Sequence, residues 1–170
     1  MSDVTVTQMG PTGMVALKGD ILAMGAALNA VTGCAVPAQR RIETADMSVA
    51  WMAPDELLIL CDHAAAPDVA ADLSKRLAKV HHLAVDISDA RVGFVLDGGT
   101  NRDVLAKLTP ADLGALALGE MRRTRLAQVP AAIWLETETR ARVICFRSVG
   151  QYVHDLLVTS ADPATSVGFY

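Results

Sequence analysis

Ser48-Val-Ala-Trp-Met-Ala-Pro-Asp-Glu-Leu-Leu-Ile-Leu-Cys61 decides the fold class of this chain. Two apolar runs, Ser48 to Met52 and Glu56 to Cys61, flank Ala53-Pro54-Asp55. Proline presets a turn dihedral and aspartate hydrogen-bonds nearby backbone, so the stretch reads as an antiparallel hairpin. Outward from it the hydrophobic period changes from two to 3.6. Upstream, Met14-Val-Ala-Leu-Lys18 reads as a strand and Asp20 as the N-cap of a helix with Ile21, Met24, Leu28 and Val31 on one face. Gly33 suits the helix C-terminus. Residues 34–46, with Pro37 and Arg40-Arg41, read as a polar loop. Downstream, Pro67 fits a first helical turn. That helix runs to Val80, with Val69, Leu73, Leu77 and Val80 inward and Asp72 and Arg76 as an outward i,i+4 pair. Leu83 to Ile87 closes the half as a strand.

The second half repeats the order. Gly93 to Leu96 reads as a strand, and Thr100…Asp103 as a capping box opening a helix that ends before Pro110. Arg123 to Val129, Ala131 to Leu135 and Arg142 to Phe146 read as strands, divided at Pro130. Ser148-Val-Gly-Gln151 has capping-box spacing ahead of a helix with Val149, Tyr152, Val153, Leu156 and Leu157 on its apolar side. The small, polar tail from Ala161 reads as frayed. The expectation is an α+β fold of two tandem strand–helix–strand–strand–helix (ferredoxin-like) units packed together. Residues 1–88 form the first lobe and 89–170 the second. Leu17-Lys-Gly-Asp20 and Leu96-Asp-Gly-Gly99 are equivalent strand ends in this duplication.

At 170 residues a chain buries roughly 70% of its extended surface, so stability needs neither disulfide nor metal. Hydrophobic residues make up 52%, charged residues 20%, and mean hydropathy is +0.32. A subunit interface is one place to hide that apolar surplus. The net charge of −4 argues against a nucleic-acid partner. Charge is uneven: residues 1–90 carry 6 basic and 11 acidic side chains, residues 91–170 carry 9 and 8, and eight of those nine are arginine. Cys34, Cys61 and Cys145 are odd in number, far apart and in apolar surroundings, which suits buried free thiols in a reducing cytoplasm. Met1-Ser-Asp-Val-Thr-Val-Thr7 has no basic stretch of a secretory signal. Ile21 to Ala38 is uncharged, but its alanines, Asn29, Thr32 and Pro37 make it a buried helix and not a membrane span.

Little of this is catalytic chemistry. His81-His82 lack a ligand at i+3 or i+4, and their side chains point apart, so they read as structural. His63 is a further titratable candidate, and His154 reads as an exposed or interface histidine. In Asp86-Ile-Ser-Asp89, followed by Arg91, Asp89 is explained by hydrogen bonds to the local backbone. Asp97-Gly-Gly-Thr100 could present amides to an anion, though a turn explains it as well. Arg122, Arg123 and Arg125 read as pairing with acids on a partner, the alternatives being a phosphate or a polyglutamate. With Trp134 and Tyr152 they form the expected partner-interface set. No catalytic, cofactor-binding or metal residue is assigned.

Several segments resemble the gamma subunit of heterotetrameric sarcosine oxidase: Trp51 to Leu60, Asp86 to Arg91, Val104 to Leu113, Arg123 to Pro130 and Cys145 to Ser148. The likeness runs in order across residues 14–160. Departures are Gly99-Thr100-Asn101 where a Gly-Pro-x-Ala helix start is common, Leu57 where tryptophan is frequent, and Gly150. None removes a chemical group. The resemblance implies a fold like the folate-binding part of the glycine-cleavage T-protein and a non-catalytic subunit beside alpha, beta and delta partners. It implies a cytoplasmic complex that oxidatively demethylates sarcosine to glycine and passes the one-carbon unit to tetrahydrofolate. FAD, FMN, NAD and the folate site then belong to the larger subunits, and zinc to delta. T-proteins carry a Gly-rich turn followed by paired aspartates on one hairpin, whereas Val129-Pro-Ala-Ala-Ile-Trp134 has no acid. The alternative is a free-standing folate-binding or one-carbon protein of the T-protein type.

Overall fold

The structure is a computed structural model describing residues 4–165. The chain divides into two compact units, residues 11–89 and residues 4–10 with 90–165. The first strand, β1 (Thr5–Gln8), therefore belongs to the unit built mainly from the second half of the chain. The lobe boundary read from the sequence kept residues 1–10 with the first half. Pairing of Thr5 with Asp97 and Gln8 with Phe94 assigns residues 4–10 to the other unit. The last five residues of the expected frayed tail lie outside the described residues, and Pro163–Thr165 form a 3-10 turn.

The unit of residues 11–89 starts with β2 (Thr12–Gly19), whose side chains from Met14 to Leu17 are buried on both faces. Helix α1 (Ile21–Thr32) follows as the local chemistry requires. Asp20 Oδ1 accepts from the amides of Leu22 at 3.0 Å and Ala23 at 3.2 Å. At the other end Gly33 turns left-handed, with φ 72°, and donates to Asn29 O. Next come β3 (Ile42–Thr44), β4 (Ser48–Ala53) and β5 (Glu56–Asp62), then a 3-10 turn (His63–Ala65), α2 (Ala66–Arg76) and β6 (His82–Asp86). The sheet is antiparallel, in order β3-β4-β5-β2-β6. Leu17, Met24, Leu28, Val49, Leu57, Ile59 and Leu73 make the core between sheet and helices. Strand β3 falls in the expected polar loop. With three residues, two of them polar, it carries no readable alternation. Helix α2 also stops at Arg76, not Val80, although Asp72 and Arg76 do pair, at 3.0 Å.

The second unit contains β7 (Arg91–Asp97), α3 (Asn101–Ala106), β8 (Met121–Leu126), β9 (Val129–Thr137) and β10 (Arg140–Phe146). A 3-10 turn (Arg147–Val149) and α4 (Gly150–Ala161) complete it. Its sheet is antiparallel in order β1-β7-β10-β9-β8, with Phe94, Leu96, Leu105, Leu113, Ile133, Val143, Val153 and Leu157 in the core. Three sequence expectations need correction here. The β8–β9 turn is at Ala127-Gln128, where Ala127 has φ 49°, and Pro130 lies inside β9 opposite Arg125. Pro130 is tolerated because it is the second residue of the strand. Thr100 makes no side-chain cap; Asn101 instead donates to Gly98 O at 2.9 Å and Glu138 O at 3.0 Å. Helix α3 ends at Ala106, before Pro110 as the sequence predicts. Ser148 caps nothing, because α4 continues directly from a 3-10 turn that already occupies the Gly150 amide.

The duplication is visible position by position. Gly19, the last residue of β2, and Gly98, the residue after β7, have φ 145° and 151°. The β4–β5 and β9–β10 hairpins skip one residue at the same place, Met52 in one and Glu136 in the other. Lys18 meets Glu56 at 3.3 Å, and Asp97 meets Arg140 at 2.6 Å, the same cross-strand pair with its charges exchanged. Strand β5, its turn and α2 match β10, its turn and α4, placing Cys61 opposite Cys145 in the comparison. Where the first unit places β6 beside β2, the second places β1 beside β7. Residues 5–8 thus supply the fifth strand of the second unit's sheet.

Candidate functional site

The expected interface arginines lie on β8, the outer strand of its sheet. Arg122 points toward the core side with Leu126. Its Nε sits 2.6 Å from Glu120 Oε1, and the other Glu120 oxygen accepts from Ala117 N at 3.2 Å. That guanidinium is committed inside the unit. Arg123 and Arg125, two residues apart, are exposed on the opposite face, and Arg125 also donates to Gln128 Oε1 at 3.1 Å. Trp134 is only 5% exposed, so a partner would meet almost none of it. Its place in the expected set is corrected accordingly: the indole is buried within the chain, outside the helix-side core. Tyr152 is 50% exposed on α4, which packs against β1, β10 and α3. The structure therefore does not join Tyr152 to the arginine pair in one patch.

Sequence reading missed two residues beside that pair. In the antiparallel registers Arg125 faces Pro130 and Phe146 faces Arg91. Ala131 faces Cys145, so Pro130 and Phe146 are adjacent on one face. The row Arg125, Pro130, Phe146, Arg91 crosses four strands, β8 to β7. Phe146 is 43% exposed, and the Arg91 guanidinium carbon lies 4.1 Å over its ring. Neutral alternation within β10, with Cys145 inward and Phe146 outward, was the available signal.

The titratable candidates serve the fold. Asp86 accepts from Ser88 N at 2.9 Å and Ser88 Oγ at 2.5 Å, while Ser88 Oγ accepts from Met14 N. Those Ser88 hydrogen bonds, aided by nearby His63, hold the Asp86 carboxyl below the usual carboxylate range. Asp86 is thus a local backbone acceptor, and Asp89 stands 3.4 Å from His63. His82 Nδ1 lies 2.8 Å from Val80 O, and His154 is 3.4 Å from Asp155. The Asp97-Gly-Gly turn is not shaped for an anion. Gly98 N donates to Thr139 O, and the Asp97 carboxylate receives both Arg140 Nε at 2.9 Å and its terminal nitrogen at 2.6 Å. That pairing lowers the Asp97 pKa and raises that of Arg140.

The three thiols are free. Cys34 and Cys145 are buried, but Cys61 is half-buried, correcting its expected full burial. Burial pushes the Cys145 thiol up to about 11, and burial with Asp62 and Asp86 raises Cys61. Among the described residues, no group of three His, Cys, Asp or Glu is placed to hold a metal, and no helix is long and apolar enough to cross a membrane. Two open cavities lie in the second unit. One, of about 580 Å³, is lined by Val4, Val6, Val158, Thr159, Ala161 and Asp162. The other, of about 330 Å³, is lined by Gln8, Val92, Arg147, Gly150 and Gln151. In the β8–β9 hairpin, Ala131 and Ile133 enter the core and Ala132 and Trp134 are also buried. Residues 129–134 carry no carboxylate, and Glu136, further along β9, pairs with Arg142 at 2.6 Å.

Comparison with known proteins follows the same line. A structure of heterotetrameric sarcosine oxidase from Corynebacterium sp. U-96, in complex with pyrrole 2-carboxylate, matches with TM-score 0.86 and 25% identity. The match covers 98% of this chain and 88% of that one. The glycine cleavage system aminomethyltransferase T from Bartonella henselae matches with TM-score 0.73 and 13% identity, over 91% of this chain and 45% of that chain. It shares the fold alone. The regulatory subunit of aspartate kinase from Thermus thermophilus matches at TM-score 0.50 with 12% identity, over 92% of this chain and 98% of that one. A search of curated proteins finds no match. Residues 18–162 match the family described as "Sarcosine oxidase, gamma subunit family", and the chain belongs to that family.

Proposed function

We propose that this chain is a non-catalytic gamma subunit of a heterotetrameric sarcosine oxidase, supporting assembly with alpha, beta and delta subunits in the cytoplasm. The complex oxidatively demethylates sarcosine to glycine and transfers the one-carbon unit to tetrahydrofolate. FAD, FMN and NAD reside on the partner subunits, as does the folate. The observation that carries this reading is the family match joined to a site without reactive groups: the T-protein-type hairpin is filled with alanine, isoleucine and tryptophan. A fold shared with a folate enzyme, with alanine, isoleucine and tryptophan on the corresponding hairpin, supports a packing role, since function rests on the site and not on the fold.

Co-expression tests it. The tagged chain should recover alpha, beta and delta in fixed proportion, and omitting it should lower the yield of assembled oxidase. Isothermal titration of the isolated chain with tetrahydrofolate should show no heat of binding. Tight folate binding by a chain that ignores the other subunits would establish the free-standing one-carbon protein instead.

A further inference from the structure

We infer that the cross-strand row Arg125, Pro130, Phe146 and Arg91, with Arg123 beside it, is the surface on which an acid-bearing extended segment of a partner subunit docks. The inference rests on the proposed gamma-subunit role and names the surface and the partner chemistry. Register puts all five side chains on one face: Arg123 faces Ala132, Arg125 faces Pro130, and Phe146 faces Arg91. The opposite face of the same strands carries Val143 and Cys145 into the core. The row is therefore not a continuation of that core.

Its composition is that of an interface centre and not of ordinary surface. An aromatic ring 43% exposed, with a guanidinium stacked on it at 4.1 Å, offers an apolar plane ringed by positive charge. Aromatic residues and arginine are the types that dominate interface energetics. Arg123 and Arg125 are spaced two residues apart on a strand, so their head groups repeat at about 7 Å. An extended segment with carboxylates at i and i+2 matches that repeat, and planar guanidinium pairs with carboxylate bidentately.

The same features favour a protein segment over a small anion. Arg123, Arg125, Pro130 and Phe146 are exposed, so the row is open to a partner. A free carboxylate or phosphate would stay hydrated there, whereas a protein surface can cover the ring and strengthen each ion pair by excluding water. Nucleic acid is disfavoured by the chain's net charge of −4.

The test uses the full chain co-expressed with alpha, beta and delta. Arg123→Glu with Arg125→Glu is one arm and Phe146→Ser another. Arg76→Glu on α2 is the control for a charge change elsewhere, and thermal unfolding of each free variant is recorded. Recovery of partner subunits should fall about tenfold or more in the first two arms and stay at wild-type level in the control. Wild-type association should weaken with added salt, and the arginine double variant should show a flatter salt dependence. Should Phe146→Ser unfold the chain, the exposed arginine arm and its salt profile decide alone. Wild-type assembly with unchanged recovery of the arginine variant overturns the docking surface and leaves the gamma-subunit reading standing. Failure of the wild-type chain to recover any partner overturns both.

Discussion

Replacing Gly150 with alanine tests the packing logic of the duplicated fold. Gly150 starts α4 in ordinary helical conformation, φ −59° and ψ −45°, so an alanine there meets no backbone strain. Helix propensity alone would favour alanine by up to ~1 kcal/mol. Its Cβ, however, would lie 2.8 Å from Val92 Cγ1 on β7, against about 3.5 Å for carbon contact. Valine is stiff at χ1 and cannot swing clear cheaply. Overpacking of this kind costs roughly 1–3 kcal/mol, so Gly150→Ala should destabilise by ~1 kcal/mol net. In the first unit Ala66, fully buried, occupies the place of Gly150, and Gly13 that of Val92, but a Cβ at Gly13 would meet Cys61 and Asp62 on the neighbouring strand, so the tight contact there is between strands. Val92→Ala should cost ~1 kcal/mol by itself through two lost methyls. Adding Gly150→Ala to it should cost nothing further, a coupling of ~1–2 kcal/mol. Urea unfolding of the four proteins measures this, with a midpoint shift near 3 °C on heating for the single glycine variant, at about 2–4 °C per kcal/mol. If Gly150→Ala is as stable as wild type, or equally harmful with and without Val92, the Gly150–Val92 packing argument is refuted.

Other expectations are narrower. Native chain at pH 8 should alkylate Cys61 first and leave Cys34 and Cys145 unmodified until denaturant is added, as read by peptide mass spectrometry; native labelling of Cys145 would contradict its burial and raised pKa. Asp20→Ala removes the acceptor of two helix amides and should cost ~1 kcal/mol in urea unfolding, with Asp20→Ser retaining most of it. Asp86 titrates below its ordinary value, 3.8, when folded, so its contribution is present above that pH and lost as pH falls through the lower folded value. Asp86→Asn should therefore flatten the acid limb of the stability profile, and an unchanged limb would remove Asp86 as a cause.

The fold was legible wherever a short segment carries its own instructions. Asp20 and Gly33 delimit α1 because a carboxylate can take the first free amides and glycine can turn left-handed. Pro54-Asp55 turns the chain between β4 and β5, and alternating Arg123 and Arg125 share a face in any strand. Capping-box spacing at Thr100 and Ser148 was misleading, because each helix enters from a turn that already satisfies its amides. At the candidate site, the arginines were legible and their surroundings were not. Phe146 joins Arg91 across 55 residues of chain, and Trp134 is buried by its own molecule although its sequence context is that of any outward strand residue.

The amino-acid sequence by itself determined most of the helices and longer strands and their duplication, since caps, turns and periodicity act over a few residues, but not the short strands β1 and β3. Tertiary structure alone decided which strand completes the second sheet and which outward side chains stay in water. Both depend on partners distant in sequence, as when Thr5 pairs with Asp97. An edge with open hydrogen-bonding groups accepts whichever strand the closed chain can bring to it, and no local pattern records that choice.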